Sequence, residues 1–333
     1  MRHDGKLALS KLVFLFFLSM IWHKAFSQEK SLVLTKEQAA EDFQWLRRAL
    51  EYVHPRLYKY ESKQVVDARF DSLGSTINGN MKAIDLLSLV STINASVRCG
   101  HLYTIPQYGL ADEILNKKVL PFYIRIIDEK IYIRFNCSDK LIPNGSRILS
   151  VNGRSADEIL KYLLPRIASD GNIRTRKIRL LERYHFRLFH GFDLYYHLHI
   201  DRSDTFKIEY IEYNSNKSKT ITVSGVTFVD RQRILQDRYK KDEQAWFTTP
   251  SPNFEINEKE KYARLAIPRS FYSKTDPDFD SLLNAAFAKI RDLQIRDLIL
   301  DLRNNEGGSE QQQIGLMSYL SKRTLPALSE HLH

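Results

Sequence analysis

Apolar residues recur at helical spacing soon after residue 30. Thr35 and Gln38 have the form of a capping box, in which each side chain accepts a hydrogen bond from the other residue's backbone N–H group. The apolar positions that follow lie three or four residues apart, and they are Phe43, Leu46, Leu50 and Val53. This spacing predicts a helix that ends at His54 and Pro55.

The same periodicity returns over residues 63–77 and 83–97. Three helices in succession predict a small helical domain over 28–112. A turn over 98–101 ends the third helix.

The apolar period changes from helical spacing to two after Leu120. The alternating positions are Phe122, Ile124, Ile126, Ile131, Ile133 and Phe135. They predict two strands joined by a turn at Asp128 and Glu129. A third strand over 145–151 precedes an Asn-Gly turn and a helix that begins with a second capping box, formed by Ser155 and Glu158.

Further along, the segment 173–200 predicts a helical insertion rich in aromatic residues. The segments 206–213 and 219–223 predict a hairpin that completes an α+β domain over 113–228. The polar, proline-containing stretch 229–260 predicts a linker.

The end of the chain has the pattern strand, helix, strand. Residues 262–267 predict a strand, and Asp276 with Pro277 predicts the start of a helix. The run 297–302 is nearly continuous in apolar residues, as is typical of a strand covered on both faces. The crossover predicts a parallel pair within an α/β domain over 261–333.

The second of these strands leads directly into paired glycines. Gly307 and Gly308 have no side chains, so their backbone N–H groups can approach a substrate carbonyl closely. A helix capped by Ser309 and Gln312 follows, and its N-terminus carries partial positive charge. These features suit an oxyanion hole, and they suit a plain helix-capping turn equally well.

Composition and charge narrow the class of protein. The chain has 333 residues, 43% of them hydrophobic and 27% charged, which fits two or three packed domains. Its formal net charge is +10, and the densest basic stretch is 174–187. No aromatic stacking motif accompanies this stretch, so we expect a solvated basic surface and no nucleic-acid partner.

The N-terminus resembles a secretory signal peptide. Basic residues precede an apolar run over 12–22, and small residues flank position 26. We predict cleavage after Ser27, a periplasmic or secreted protein, and membrane contact only through this peptide during export. The alternative is an uncleaved anchor, but the run is shorter than the roughly 20 residues that span a bilayer.

Cysteine and histidine usage predicts neither a disulfide scaffold nor a cofactor. Cys99 and Cys137 are the only cysteines, and the sequence leaves open whether they pair. Four histidines are close in sequence, at positions 185, 190, 197 and 199. Their spacing matches no standard zinc pattern, so we expect packing and no metal or other cofactor.

Several motifs, in order, resemble the tail-specific (carboxyl-terminal processing) serine protease family. Asp301–Gly308 reads DLRNNEGG, similar to the family's "DLRxNxGG" motif. The other three are a His-Pro-Arg-Leu-Tyr turn at 54–58, a Gly-His pair at 100–101 in which Leu102 replaces the family's Thr, and a PDZ-like strand and turn at 145–153.

This resemblance implies a multidomain α/β protein: a helical N-terminal domain, a PDZ-like α+β domain and a partial, ClpP/crotonase-like catalytic domain. It implies a serine-type endopeptidase acting on peptides or unfolded proteins through an acyl-enzyme. Gly307 and Gly308 would bind the oxyanion. His101 would be the general base, although other family members use a lysine after the nucleophile, and this choice stays open.

Two features depart from the family pattern. Phe122 and Tyr123 lie where a PDZ-like domain would bind peptide, but Pro121 has no N–H group to donate there. The family's nucleophile lies on a later turn, and Ser309, like the serines after it, is a poor substitute. We therefore expect the chain to be truncated within the catalytic domain and inactive as it stands. The alternative is a non-catalytic exported peptide-binding protein on the same scaffold.

Overall fold

The computed structural model describes residues 33–185, 189–241, 251–270, 278–303, 305 and 307–321. The chain divides into two compact units, Met1–Glu243 and Gln244–His333. The helices of the described residues are α1 (Lys36–Val53), α2 (Lys63–Gly74), α3 (Ala83–Ser96), α4 (Tyr108–Leu115), α5 (Ala156–Leu163), α6 (Arg174–Leu181), α7 (Gly191–His199), α8 (Phe228–Tyr239), α9 (Phe279–Asp292) and α10 (Glu310–Leu320).

The strands are mostly in two sheets. They are β1 (Val33–Leu34), β2 (Met81–Lys82), β3 (Phe122–Ile127), β4 (Lys130–Asn136), β5 (Arg147–Val151), β6 (Arg154–Ser155), β7 (Tyr184–His185), β8 (Phe189–His190), β9 (Thr205–Ile211), β10 (Ser218–Ser224), β11 (Asn253–Asn257), β12 (Tyr262–Ala266) and β13 (Asp297–Asp301). The protein is thus a mixed α/β structure, as predicted.

The first unit begins with the helical region. The capping box at Thr35 and Gln38 is confirmed, with the Thr35 N–H donating to Oε1 of Gln38 over 2.9 Å. Phe43 of α1 packs on Phe70 of α2, and α3 completes the small core through Ile93. Val53, predicted to face this core, is instead 72% exposed because it lies in the last turn of α1.

An antiparallel sheet follows in the first unit, with strand order β10-β9-β5-β4-β3 and with β6 paired to β5. The predicted β3–β4 turn is confirmed, and both of its residues have positive φ angles, 46° at Asp128 and 62° at Glu129. The capping box of Ser155 and Glu158 starts α5, which buries Ile159 against the sheet. The predicted hairpin is β9–β10.

Part of the predicted linker 229–260 is regular structure in the described residues. Helix α8 covers its first part and buries Arg231 and Leu235 completely. Strand β11 covers part of the remainder. The apolar pattern did not predict α8, because the charged residue Arg231 occupies a buried position on the inner face of the helix.

The second unit contains the sheet β11-β12-β13 and two helices. The predicted parallel pair is β12 and β13. Helix α9 starts two residues later than predicted: Asp278 is its N-cap, and Asp276 and Pro277 lie outside the described residues. Strand β13 is not covered on both faces, since Ile299 is 49% exposed.

The predicted signal peptide also lies outside the described residues. Within the described part of the chain, no helix has both the length and the apolar content needed to cross a membrane.

Candidate functional site

The turn after β13 is held in place by charged side chains at its start. Asp301 accepts hydrogen bonds from the guanidinium groups of Arg303 and Arg264, each at 2.6 Å. Arg303, then Arg264, hold the pKa of Asp301 well below its usual range. Asp301 is therefore ionised and organises the loop.

The two glycines of this turn have different roles. The N–H of Gly307 donates to Oδ1 of Asn305 over 2.7 Å, and Gly307 O accepts from the N–H of Ser270. The N–H of Gly308 has no hydrogen-bond partner among the described residues. The Gly308 backbone also lies very close to Ser270, since a Cβ at position 308 would lie 2.2 Å from Ser270 O. Of the two predicted oxyanion donors, Gly308 is thus the one with an available N–H group.

Helix α10 begins directly after this turn. Ser309 is its N-cap but makes no side-chain cap hydrogen bond, so the predicted capping box with Gln312 is wrong. The Ser309 N–H donates to Ser270 O over 2.8 Å instead. This bond ties the start of α10 to the residue that also contacts Gly308.

His101 lies in a pocket of about 400 Å³ in the first unit. The turn at 54–58 and the turn at 98–102 line this pocket together, so two of the family-like motifs meet in space. A third wall comes from Asp170, which the sequence analysis did not single out.

Two hydrogen bonds cross-link the loops around His101. The Gly100 N–H donates to Oδ1 of Asp170 over 2.8 Å, and the Gly171 N–H donates to Arg98 O over 3.0 Å. Glycine is favoured at position 100, because a Cβ would lie 2.7 Å from Oδ2 and 3.2 Å from the backbone N of Asp170. The loop carrying His101 is therefore fixed against a residue far away in the sequence.

This contact brings three chemically active side chains together. One ligand atom each from Cys99, His101 and Asp170 lies within 4.8 Å of the other two. His101 and Asp170 are exposed, and Cys99 is half-buried. Asp170 was missed because no local pattern links it to position 101; only the glycines at 100 and 171 hinted at two tight turns.

The pocket is otherwise rich in basic residues, with Arg56, Lys59 and Arg98 on its walls. Arg98 pairs with Glu61 at 3.0 Å, and Glu61 also accepts from Arg69. These hydrogen bonds and charges lower the pKa of the Glu61 carboxyl. Arg98 is thus paired, but Glu61 shares its single negative charge between two guanidinium groups.

Phe122 and Tyr123, the predicted peptide-binding residues, are both buried at 0% and 1% exposure. Phe122 belongs to the core of the sheet, and the Tyr123 ring stacks beneath the Arg231 guanidinium at 4.5 Å. Their side chains therefore do not face a binding groove. The prediction that these side chains bind peptide is therefore corrected: it rested on the resemblance to a PDZ-like domain, and both side chains pack in the interior.

The backbone edge of β3 is also occupied. Arg231 donates to Leu120 O over 2.9 Å and to Phe122 O over 3.3 Å. Further along the strand, the Ile126 N–H donates to Glu182. A peptide added to this edge would have to displace both charged side chains.

Arg231 belongs to a fully buried charged group. Its guanidinium lies 2.5 Å from Oδ2 of Asp193, which is also 3.2 Å from Nδ1 of His190. Burial opposes ionisation of Asp193, but Arg231 and His190 outweigh burial and lower its pKa. The group is a structural ion pair that anchors α8 to α7.

His190 and His197 are buried, and His199 is partly buried. Burial lowers the pKa of His197 to about 4 and that of His199 to about 3. Nδ1 of His199 lies 2.8 Å from the Ser88 hydroxyl. So weakly basic an imidazole is a poor proton acceptor, and this Ser–His pair serves as a contact between α3 and α7.

Comparisons with known proteins give a distant similarity to solved structures. No protein-family model matches the chain, and no curated protein matches it. Among solved structures, the crystal structure of mature CPAF is similar with a TM-score of 0.45 and 14% identity, over 83% of this chain and 56% of that chain. The chain thus spans little more than half the length of that structure. A similarity this low carries no argument about activity.

Proposed function

We propose that the chain is part of an exported serine-type endopeptidase of the tail-specific protease family, with peptides or unfolded proteins as substrates. The observation that carries this proposal is the turn after β13, where the Gly308 N–H group has no partner among the described residues. A backbone N–H fixed beside a helix N-terminus is the kind of donor that stabilises a tetrahedral intermediate. Removing one such donor typically costs about 3 to 4 kcal/mol of transition-state stabilisation.

The surroundings of His101 support its role as general base. A general base is usually oriented by a third group, and a carboxylate oxygen of Asp170 lies within 4.8 Å of an imidazole nitrogen of His101. The nucleophilic serine is not identified among the described residues.

The test uses the full-length protein expressed in a bacterial host. We expect hydrolysis of an unfolded protein and labelling of one serine by a fluorophosphonate probe, both in the exported fraction. H101A is expected to lower turnover by at least about 100-fold, as general-base catalysis contributes that much. H54A is the matched control, because His54 lines the same pocket.

Absence of both hydrolysis and labelling would remove the peptidase proposal and favour the non-catalytic peptide-binding protein. Equal turnover in H101A and the parent protein would remove the general-base role alone.

A further inference from the structure

The cluster beside the 98–102 turn combines the three side chains that bind transition metals most readily. Thiolate sulfur, imidazole nitrogen and carboxylate oxygen are all zinc ligands. Their donor atoms in Cys99, His101 and Asp170 are mutually within 4.8 Å. We propose that these three residues bind a zinc ion.

The distances require little rearrangement. Zinc bonds of about 2.0 to 2.3 Å in a tetrahedral site place donor atoms roughly 3.3 to 3.8 Å apart. His101 is exposed, so its side chain can rotate to close the remaining gap of about 1 Å, while Asp170 keeps its hydrogen bond to Gly100. Cys99 needs no movement of its own, because it is anchored against the helical core.

The carboxylate is already oriented by the backbone. Oδ1 of Asp170 accepts the Gly100 N–H, which leaves Oδ2 available to a metal. Hydrogen bonds of this kind, from backbone to ligand, position many metal ligands and raise metal affinity. The second tie, from Gly171 to Arg98, holds the two ligand-bearing loops at a fixed separation.

Two of the three proposed ligands are anionic when they bind a metal, and together they match the charge of a divalent ion. On binding, the Cys99 thiol loses its proton to solvent, so the thiolate and the Asp170 carboxylate together offset the two positive charges of zinc. Arg56, Lys59 and Arg98 line the same pocket and oppose the charge of the ion, so binding depends on both anionic ligands. A thiolate ligand selects zinc over magnesium or calcium. The open pocket leaves room for water as a fourth ligand.

The zinc site uses the residue that the peptidase proposal assigns as general base, so zinc binding would inhibit the peptidase. A metal-bound imidazole has no lone pair left for a proton, so His101 cannot serve as a base while zinc is bound. The readout is therefore binding and not activity.

The experiment titrates the full chain with zinc chloride by calorimetry and with cobalt(II) by absorption. We expect one equivalent of zinc, and a thiolate-to-cobalt charge-transfer band in the near ultraviolet. C99S should abolish this band, and H101A and D170N should each lower zinc affinity by about tenfold or more. C137A is the matched control, because Cys137 lies in a separate buried cluster, and it should bind zinc like the parent.

Circular dichroism checks that each variant is folded, and the exposed His101 makes H101A the least disruptive. The inference is overturned if zinc shows no saturable binding, or if H101A and C99S both bind zinc as tightly as the parent protein.

Discussion

Acidification between pH 6.5 and pH 5 is expected to destabilise the first unit through two buried histidines. Burial, aided by nearby cationic side chains, lowers the pKa of His197 to about 4 and that of His199 to about 3. An unfolded histidine titrates at about 6.5. Below that pH the unfolded chain gains protons that the folded chain does not, so stability falls as pH falls.

The size of the effect follows from these values. Each pKa unit corresponds to about 1.4 kcal/mol, so one histidine costs about 2 kcal/mol of unfolding free energy at pH 5 relative to pH 7. His197 and His199 together cost about 4 kcal/mol, a large share of the roughly 5 to 15 kcal/mol typical of a domain. Asp193 does not contribute in this window, because its stabilising charge is lost only below its unfolded pKa of about 3.8.

The assay is urea unfolding at pH 7 and pH 5, followed by far-ultraviolet circular dichroism. An H197N/H199N double variant removes both titrating groups, while the amide introduced at position 199 retains a partner for Ser88. The double variant should show a much smaller loss of stability between the two pH values, with an unchanged urea m-value as the control for the extent of unfolding. If the parent loses less than about 1 kcal/mol, or if the double variant loses as much as the parent, the reasoning fails.

Three substitutions test other parts of the structure by chemical denaturation. G100A places a methyl group 2.7 Å from Oδ2 of Asp170 and should lower the free energy of unfolding by about 1 to 3 kcal/mol. G79A is the control, because nothing lies within 4 Å of its Cβ, and it should change stability by less than about 1 kcal/mol. Equal effects of the two substitutions would contradict the tight contact at Gly100. R231M leaves the buried carboxylate of Asp193 without its partner and should lower the free energy of unfolding by about 3 to 5 kcal/mol. The R231M/D193L double variant should recover part of this loss. A loss below about 1 kcal/mol in R231M would show that the ion pair does not anchor α8. G308A should lower the free energy of unfolding by about 2 to 4 kcal/mol, because its methyl group would clash with Ser270 and because φ at this position is 143°. An unchanged stability would mean that the turn differs from the one described.

Local pattern was sufficient for much of the fold. The capping boxes at Thr35 and Ser155, the β3–β4 turn and the parallel pair β12–β13 depend on neighbouring residues or on simple crossover geometry, and all are present. Helix α8 escaped prediction because its most buried residues include Arg231, a charged side chain that an apolar pattern does not count.

The candidate site was less accessible to sequence reasoning. The motifs of the sequence indicated His101 and the paired glycines. The structure places His101 near Asp170, which is far away in the chain. Local periodicity carries no information about such long-range proximity. Phe122 and Tyr123 were misplaced for a related reason: alternation shows that one face of a strand is apolar, but not that α8 covers the other face at Tyr123.

The position of Arg231 along the chain has a consequence for biosynthesis. The carbonyl groups that it covers, at Leu120 and Phe122, leave the ribosome more than 100 residues earlier. Until Arg231 emerges, the growing chain exposes an uncapped strand edge that can pair with another nascent chain. Export before folding, or a chaperone bound during this interval, would keep the edge from self-association.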